Sequence, residues 1–307
     1  MHSSFLLRSI IAVVSIAQSC LSFSVSAPGP SVSSLLDKYS ETISELQKVA
    51  TDKYPEVAPS DPMFFLRYCL KDGTSDEEKK TMLEYNLQWR MNEGKEIVQA
   101  AREAVDKAIS GGSWDNAPVR DMAPHADIVN KYITPSQCLT TTLRSGDLCY
   151  CIRAGQIDDV ALMSEVSLEQ MTDFFLYCKE VNAIVANMRS KSSDSIVEVF
   201  TANDLNGVKL VGGDATFRKA LSAASTKANE LYPSLAGPTF LLNLPKLLGA
   251  LVKLFTPLFP EEVRKRLKFE RGPLKDVDDL VDISGGELGN ADAREKFLNE
   301  VDTLLEN

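Results

Sequence analysis

The stretch Thr239–Phe269, TFLLNLPKLLGALVKLFTPLFPEEVRKRLKF, restricts what this chain can fold into more than any other. It reads as a short buried strand, an apolar helix, a proline break, a basic amphipathic turn and another strand. Its apolar content approaches that of a membrane span, yet Pro245, Lys246, Lys253, Pro257 and Pro260 interrupt it. No run therefore reaches the roughly 18–20 clean apolar residues that a bilayer crossing needs. Leu247, Leu251, Leu254 and Leu258 fall on one helical stripe, flanked by Leu248, Phe255 and Phe259, so the helix is apolar around much of its girth. Such a segment is buried in a core, packed on a partner or laid against lipid. It is also locally basic: Lys246, Lys253, Arg264, Lys265, Arg266, Lys268 and Arg271 face Glu261, Glu262 and Glu270, inside a chain of net charge −10. Part of this complements a helix C-terminus. A basic rim beside an apolar helix also suits an anionic lipid surface.

The rest of the chain changes grammar halfway. Residues 35–111 read as a helical subdomain, with Leu36, Tyr39, Ile43, Leu46 and Val49 at helical spacing. Asp61-Pro62 is a cap followed by a first-turn proline, and Ser75-Asp-Glu-Glu78 is a capping box. Residues 112–134, with Pro118 and Pro124, read as a linker. From 135 to 288 strands alternate with helices. Leu148–Arg153, Ser195–Phe200, Thr239–Leu244 and Leu267–Phe269 read as strands, and Ser167–Gln170 and Asp214 read as helix starts. That alternation predicts an α/β sheet covered on at least one face. Residues 289–307 read as a C-terminal helix carrying Phe297, Val301 and Leu304.

Composition excludes several classes. At 307 residues and 44% hydrophobic, the chain can bury a sizeable core, and its acidity argues against general nucleic-acid binding. Residues 1–22 have the form of a signal peptide: Arg8 is the only charge before Asp37, and Cys20 and Ser22 precede a cut before Phe23. Residues 23–34 read as a transit segment rich in Ser, Ala and Pro. The whole leader resembles the bipartite plastid-targeting leaders of diatoms and related algae, with secretion or an endomembrane lumen as the competing destination. Cys69, Cys138, Cys149, Cys151 and Cys178 form no disulfide framework and no zinc pattern, and read as small buried hydrophobes. His125 sits in the Pro-flanked linker, and no GxGxxG, GxxxxGK[ST] or GxSxG is present. Gly212-Gly213-Asp214, Asp158-Asp159 and Asp278-Asp279 read as turns and helix caps. Neither an enzyme, a metal site nor a cofactor is expected.

Several stretches then match one known family in the right order. Phe65-Leu66-Arg67 and Met82 to Arg90, ending in Trp89-Arg90, resemble its helical N-terminal subdomain. Tyr150-Cys-Ile-Arg153-Ala-Gly155 resembles its first strand and turn, and Ile196 to Gly207 its second strand with an Asp-x-x-Gly turn. Tyr232-Pro233, Leu241 to Pro245 and Phe255-Thr-Pro257 resemble its third strand and gate, and Gly285-Gly286 its closing glycines. The chain thus resembles the CRAL-TRIO family, whose members carry retinaldehyde, tocopherol or phosphatidylinositol.

The resemblance implies a CRAL-TRIO-like α/β fold: an all-helical N-terminal subdomain, then a mixed or parallel sheet enclosing an apolar pocket under a gate helix, Pro245–Phe259. It implies non-enzymatic binding and inter-membrane transfer of a phospholipid or isoprenoid. The alternative is a regulatory lipid-sensing adaptor that binds a protein partner. The implied pocket residues are Tyr150, Ile152, Phe174, Phe175, Cys178, Val197, Val199, Phe217, Leu221, Phe240, Leu242, Leu244, Leu247, Leu251, Phe255 and Leu258. Lys253, Phe259, Arg264, Lys265 and Arg266 are the implied contacts with a transient membrane surface. In the phosphatidylinositol-binding members an acid follows Tyr-Pro and a lysine precedes the gate proline. Here Ser234 and Thr256 stand there, which leaves a neutral isoprenoid such as a tocopherol, carotenoid or quinone more open.

Overall fold

The helix starts follow the caps legible in the sequence. The computed structural model describes residues 29–207, 213–243, 267–270, 272, 274, 277–285 and 288–306. Five helices come first: α1 (Val32–Lys38), α2 (Ser40–Lys53), α3 (Pro62–Cys69), α4 (Asp76–Met91) and α5 (Lys95–Ile109). The Asp61 carboxylate accepts from Met63 N–H at 3.0 Å, with Pro62 in the first turn of α3. Ser75 and Glu78 cap α4 reciprocally. Leu46, Met63, Phe65, Leu66, Leu83 and Leu87 close a core among α1–α4.

The expected linker is structured. Residues 112–134 hold α6 (Ala117–Asp121) and α7 (Ala126–Tyr132), with Val129 and Ile133 buried. Pro118 lies in the first turn of α6, where no helical N–H is lost.

A five-stranded sheet follows, ordered β1 (Cys138–Thr142), β2 (Leu148–Arg153), β3 (Val199–Asp204), β4 (Ala236–Leu242) and β5 (Leu267–Glu270). β1 is antiparallel to β2 and the other pairs are parallel. Between strands run α8 (Asp159–Glu165), α9 (Leu168–Ser193) and α10 (Ala215–Leu231). A 3-10 turn (Leu280–Ile283) and α11 (Ala291–Glu306) close the described chain. β1 was not expected, and β3 lies further along the chain than Ser195–Phe200. Both gained segments, Cys-Leu-Thr-Thr-Thr and the Thr-Ala-Asn-Asp end of β3, are polar by pattern and held in the sheet by their neighbours.

Each face of the sheet has its own cover. On the first face Leu148, Tyr150, Ile152 and Val199 pack under α5, α9 and α10. On the second face Cys149, Cys151, Phe200, Ala202, Phe240 and Leu242 pack under Leu274, Val277, the 3-10 turn and Phe297, Leu298, Val301 and Leu304 of α11. This is an α/β fold with both faces covered. Among the described residues, no helix is long and apolar enough to cross a membrane.

Buried arginines fasten the helical subdomain to the sheet domain. Arg67 of α3 donates to the Asn187 side chain at 3.0 Å, to Ser234 O at 2.8 Å and to Val197 O at 2.7 Å. Burial pulls its guanidinium down to about 10, partly offset by the charges of Glu198 and Asp147, so it is charged at neutral pH. Arg90 of α4 meets Glu180 of α9 at 2.8 Å with both side chains buried, and also donates to Asn86 at 2.7 Å.

Candidate functional site

Strand alternation sorts the expected pocket residues onto faces. The register lines up two rows on the first face: Tyr150, Thr201 and Thr239, then Ile152, Asn203 and Leu241. α9 and α10 stand over this face. Phe174 and Phe175 of α9 meet edge to face at 5.6 Å between ring centroids, and Phe175 meets Phe217 of α10 at 5.9 Å. Cys178 and Leu221 are half-buried beside them. Tyr150, Ile152, Val199, Phe174, Phe175, Cys178, Phe217 and Leu221 thus belong to one continuous apolar region.

Two of the expected residues lie elsewhere. Phe240 and Leu242 point to the second face, into the core under α11, so they cannot share a hollow with Tyr150 and Ile152. On a parallel strand apolar through and through, the pattern does not say which face is which. Their neighbours Thr239 and Leu241 occupy the first face instead, and sequence reading passed over them. Val197 belongs to the same apolar region as Tyr150 and Val199, at its Arg67 end before β3 begins, where its N–H donates to Ser190 Oγ at 2.9 Å. Leu244, Leu247, Leu251, Phe255 and Leu258 lie outside the described residues, as do Lys253, Phe259, Arg264, Lys265 and Arg266. So does the leader, residues 1–28.

The middle strand shows an asymmetry. On the second face of β3, Phe200 is 5% exposed and Ala202 is 0%. On the first face of the same strand, Thr201 and Asn203 are only half-buried. A strand with two neighbours on each side leaves side chains open only where its cover is incomplete. The cover of the first face is therefore less complete over the carboxyl half of β3, between the buried Ile152 and Leu241. In parallel sheets the carboxyl ends of the strands are where ligands sit. The Asn203 amide nitrogen there is shielded from solvent and has no hydrogen-bond partner. Leaving such a donor unsatisfied costs about 1–3 kcal/mol.

The thiols here are not built for chemistry. The Cys138 thiol donates to Tyr150 Oη at 3.0 Å, and burial pushes it up to about 11. Burial also raises Cys178 and Tyr150. All three keep their protons at neutral pH, so neither thiol is a ready nucleophile. On the second face Cys149 and Cys151 lie 3.8 Å apart between sulfurs, fully buried.

The acidic motifs are structural. Asp158 caps α8 through Ala161 N–H. Asp279 caps the 3-10 turn and accepts from Ser136 Oγ at 2.8 Å. Asp214 caps α10 through Thr216 and Phe217, while its own N–H donates to Asp159 at 2.8 Å, so that helix start is already served by carboxylates. Asp204, at the end of β3, accepts from Asn206 N–H at 3.0 Å and from the Asn243 side chain at 2.9 Å, and lies 3.4 Å from Arg153 Nε. Arg153 in turn donates to the carbonyls of Leu274, Val277 and Asp278, stapling the second-face cover to the sheet. Ser234, at the position that is acidic in the phosphatidylinositol binders, has φ 52° and gives its carbonyl to Arg67. That places it at the subdomain junction.

Comparison with known proteins agrees with this architecture. Residues 137–282 match the family model described as CRAL/TRIO domain. No curated protein matches the chain in sequence. Among solved structures, the crystal structure of Sfh5 is similar over 88% of this chain and 98% of its own, with a TM-score of 0.50 and 13% identity. At that identity the likeness speaks for the fold alone.

Proposed function

We propose that this protein, whose residues 137–282 match the CRAL/TRIO domain model, binds a single hydrophobic molecule, a phospholipid or an isoprenoid, and moves it between membranes. The observation that supports this reading is the incomplete cover over Thr201 and Asn203, on a sheet face otherwise closed by apolar helices. Burying a methylene is worth about 0.8 kcal/mol, so a 16-carbon tail left in water costs on the order of 12 kcal/mol. A carrier therefore needs an enclosed apolar site and a lid that opens at the membrane. We assign the lid to Pro245–Phe259, which directly follows β4, and the membrane contacts to Lys253, Phe259, Arg264, Lys265 and Arg266. No covalent step is needed. With Ser234 and Thr256 where the phosphatidylinositol-binding members carry an acid and a lysine, a neutral ligand fits better than phosphatidylinositol. The leader, read as signal plus transit segment, supports a plastid setting.

Vesicle-to-vesicle transfer tests this directly. Donor vesicles of phosphatidylcholine carrying labelled lipids or isoprenoids are mixed with acceptors and catalytic amounts of the full chain. Accelerated transfer of at least one class is expected. Transfer at the spontaneous rate for every class, together with a stable complex in pulldowns, would favour the adaptor instead.

A further inference from the structure

Asn206-Gly207 is the single Asn-Gly pair in the chain. It stands in the turn directly after β3, with both residues exposed. Gly207 has φ 77°, a left-handed conformation that glycine adopts without strain. The nearest atom to a Cβ built there is Gly155 O, 3.7 Å away, so the turn has room to move. Asn206 is tied through its backbone, whose N–H donates to Asp204 at 3.0 Å. Among the described residues, nothing hydrogen-bonds to its side-chain amide or to the Gly207 N–H. Other asparagines are held. Asn86 donates to Leu231 O and accepts from Arg90, and Asn290 caps α11 through Asp292 and Ala293. Each of those two also precedes a residue with a side chain.

We propose that Asn206 is a site of spontaneous deamidation. The Gly207 backbone nitrogen, on losing its proton to solvent, attacks Cγ of Asn206. A nitrogen–Cγ bond forms, closing a five-membered imide, and the Cγ–Nδ2 bond breaks, releasing ammonia. One water then opens the ring. Addition at Cγ gives aspartate, and addition at the main-chain carbonyl carbon gives isoaspartate. No oxidant, reductant or enzyme takes part. Glycine at 207 matters because a Cβ there would hinder the swing of the nitrogen toward Cγ. The two products differ in consequence. Asp204 is buried and accepts from Asn206 N–H and the Asn243 side chain, 3.4 Å from Arg153 Nε. Isoaspartate lengthens the turn by a methylene and leaves a free carboxylate beside that N–H, so a second negative charge faces Asp204. Aspartate keeps the backbone path and carries its charge on an exposed side chain. The site is independent of any ligand, so it stands or falls apart from the carrier reading.

The test is peptide mapping of the aged full chain. Folded protein is held at neutral and at mildly alkaline pH, then digested and weighed by mass spectrometry. Isoaspartate is counted by methyl transfer from an isoaspartyl methyltransferase. Exchange of the amide NH2 for OH is expected in the peptide holding Asn206, faster in proportion to hydroxide, with isoaspartate among the products. Asn206→Gln is expected to abolish it, and Gly207→Ala to slow it by about tenfold or more. The isoaspartate fraction, separated by anion exchange, is expected to melt below wild type, and Asn206→Asp close to it. Should Gly207→Ala not fold, Asn206→Gln still reads the site. An unchanged Asn206 peptide in the folded chain, when the same chain in urea converts, overturns the proposal. So does conversion at other asparagines ahead of Asn206, or an equal rate in Gly207→Ala.

Discussion

Single buried side chains decide how the two subdomains hold together. Arg90 and Glu180 are 4% and 2% exposed at the side chain. Removing one leaves the other charged and unpaired, so Glu180→Leu is expected to cost about 3–5 kcal/mol in urea unfolding. Adding Arg90→Met to it is expected to restore much of that loss, because a buried pair exchanged for apolar groups is often neutral. The thiols give a pH signature. Burial raises both Cys69 and Cys138 to about 11 from an ordinary value of 9.0. The folded protein then holds protons that the unfolded chain has released, so the thiols' contribution to stability is constant below pH 9 and falls as pH rises from 9 to 11. Urea midpoints across that window are expected to decline, and less steeply in Cys138→Ala. An identical slope in the variant would contradict the assignment. Of these groups, Arg67 and Arg90 were legible in the sequence as parts of a family pattern, but their partners were not. Nothing in the one-dimensional spacing announces that Arg67 meets Asn187 and Ser234. Asn203 was invisible for a related reason. A polar residue at a strand end reads as part of a turn until its face is known.

Elements were legible where local chemistry fixes them and obscure where the sheet does. The capping boxes at Ser75 and Ser167 and the caps at Asp61 and Asp214 all start helices as expected. β1 was missed because a polar edge strand has no hydrophobic alternation to show, and its pairing partner supplies the order. Phe240 and Leu242 were placed on the wrong side because the end of β4 carries a buried leucine on each face, Leu241 and Leu242. The α4–α5 turn depends on Gly94. A Cβ there would come 2.4 Å from the Trp89 ring, so Gly94→Ala is expected to lose about 1–3 kcal/mol by thermal melting. A melt within error of wild type would show that the indole moves aside freely. The lid assignment has its own test at this scale. Leu251→Asp and Phe255→Asp each put a charge on the apolar stripe. Transfer is expected to fall sharply while the melting transition survives. Loss of the transition itself would make this segment part of the core.

At the scale of the whole molecule, the described residues build three apolar cores and commit two of them to closure. The α1–α4 core stands behind the Arg67 and Arg90 fasteners, and the α11 core seals the second face through the Arg153 staple. The first face combines apolar helices with incomplete cover over the middle strand, where Thr201 and Asn203 stay half-buried. Stability alone does not call for that combination, and a carrier does. Native mass spectrometry of the full chain, purified without detergent, tests this most directly. A population heavier than the polypeptide by the mass of one neutral lipid or isoprenoid, removed by organic extraction and regained on exposure to lipid vesicles, is the predicted result. A bare polypeptide mass that stays unchanged after exposure to every lipid class offered would contradict it.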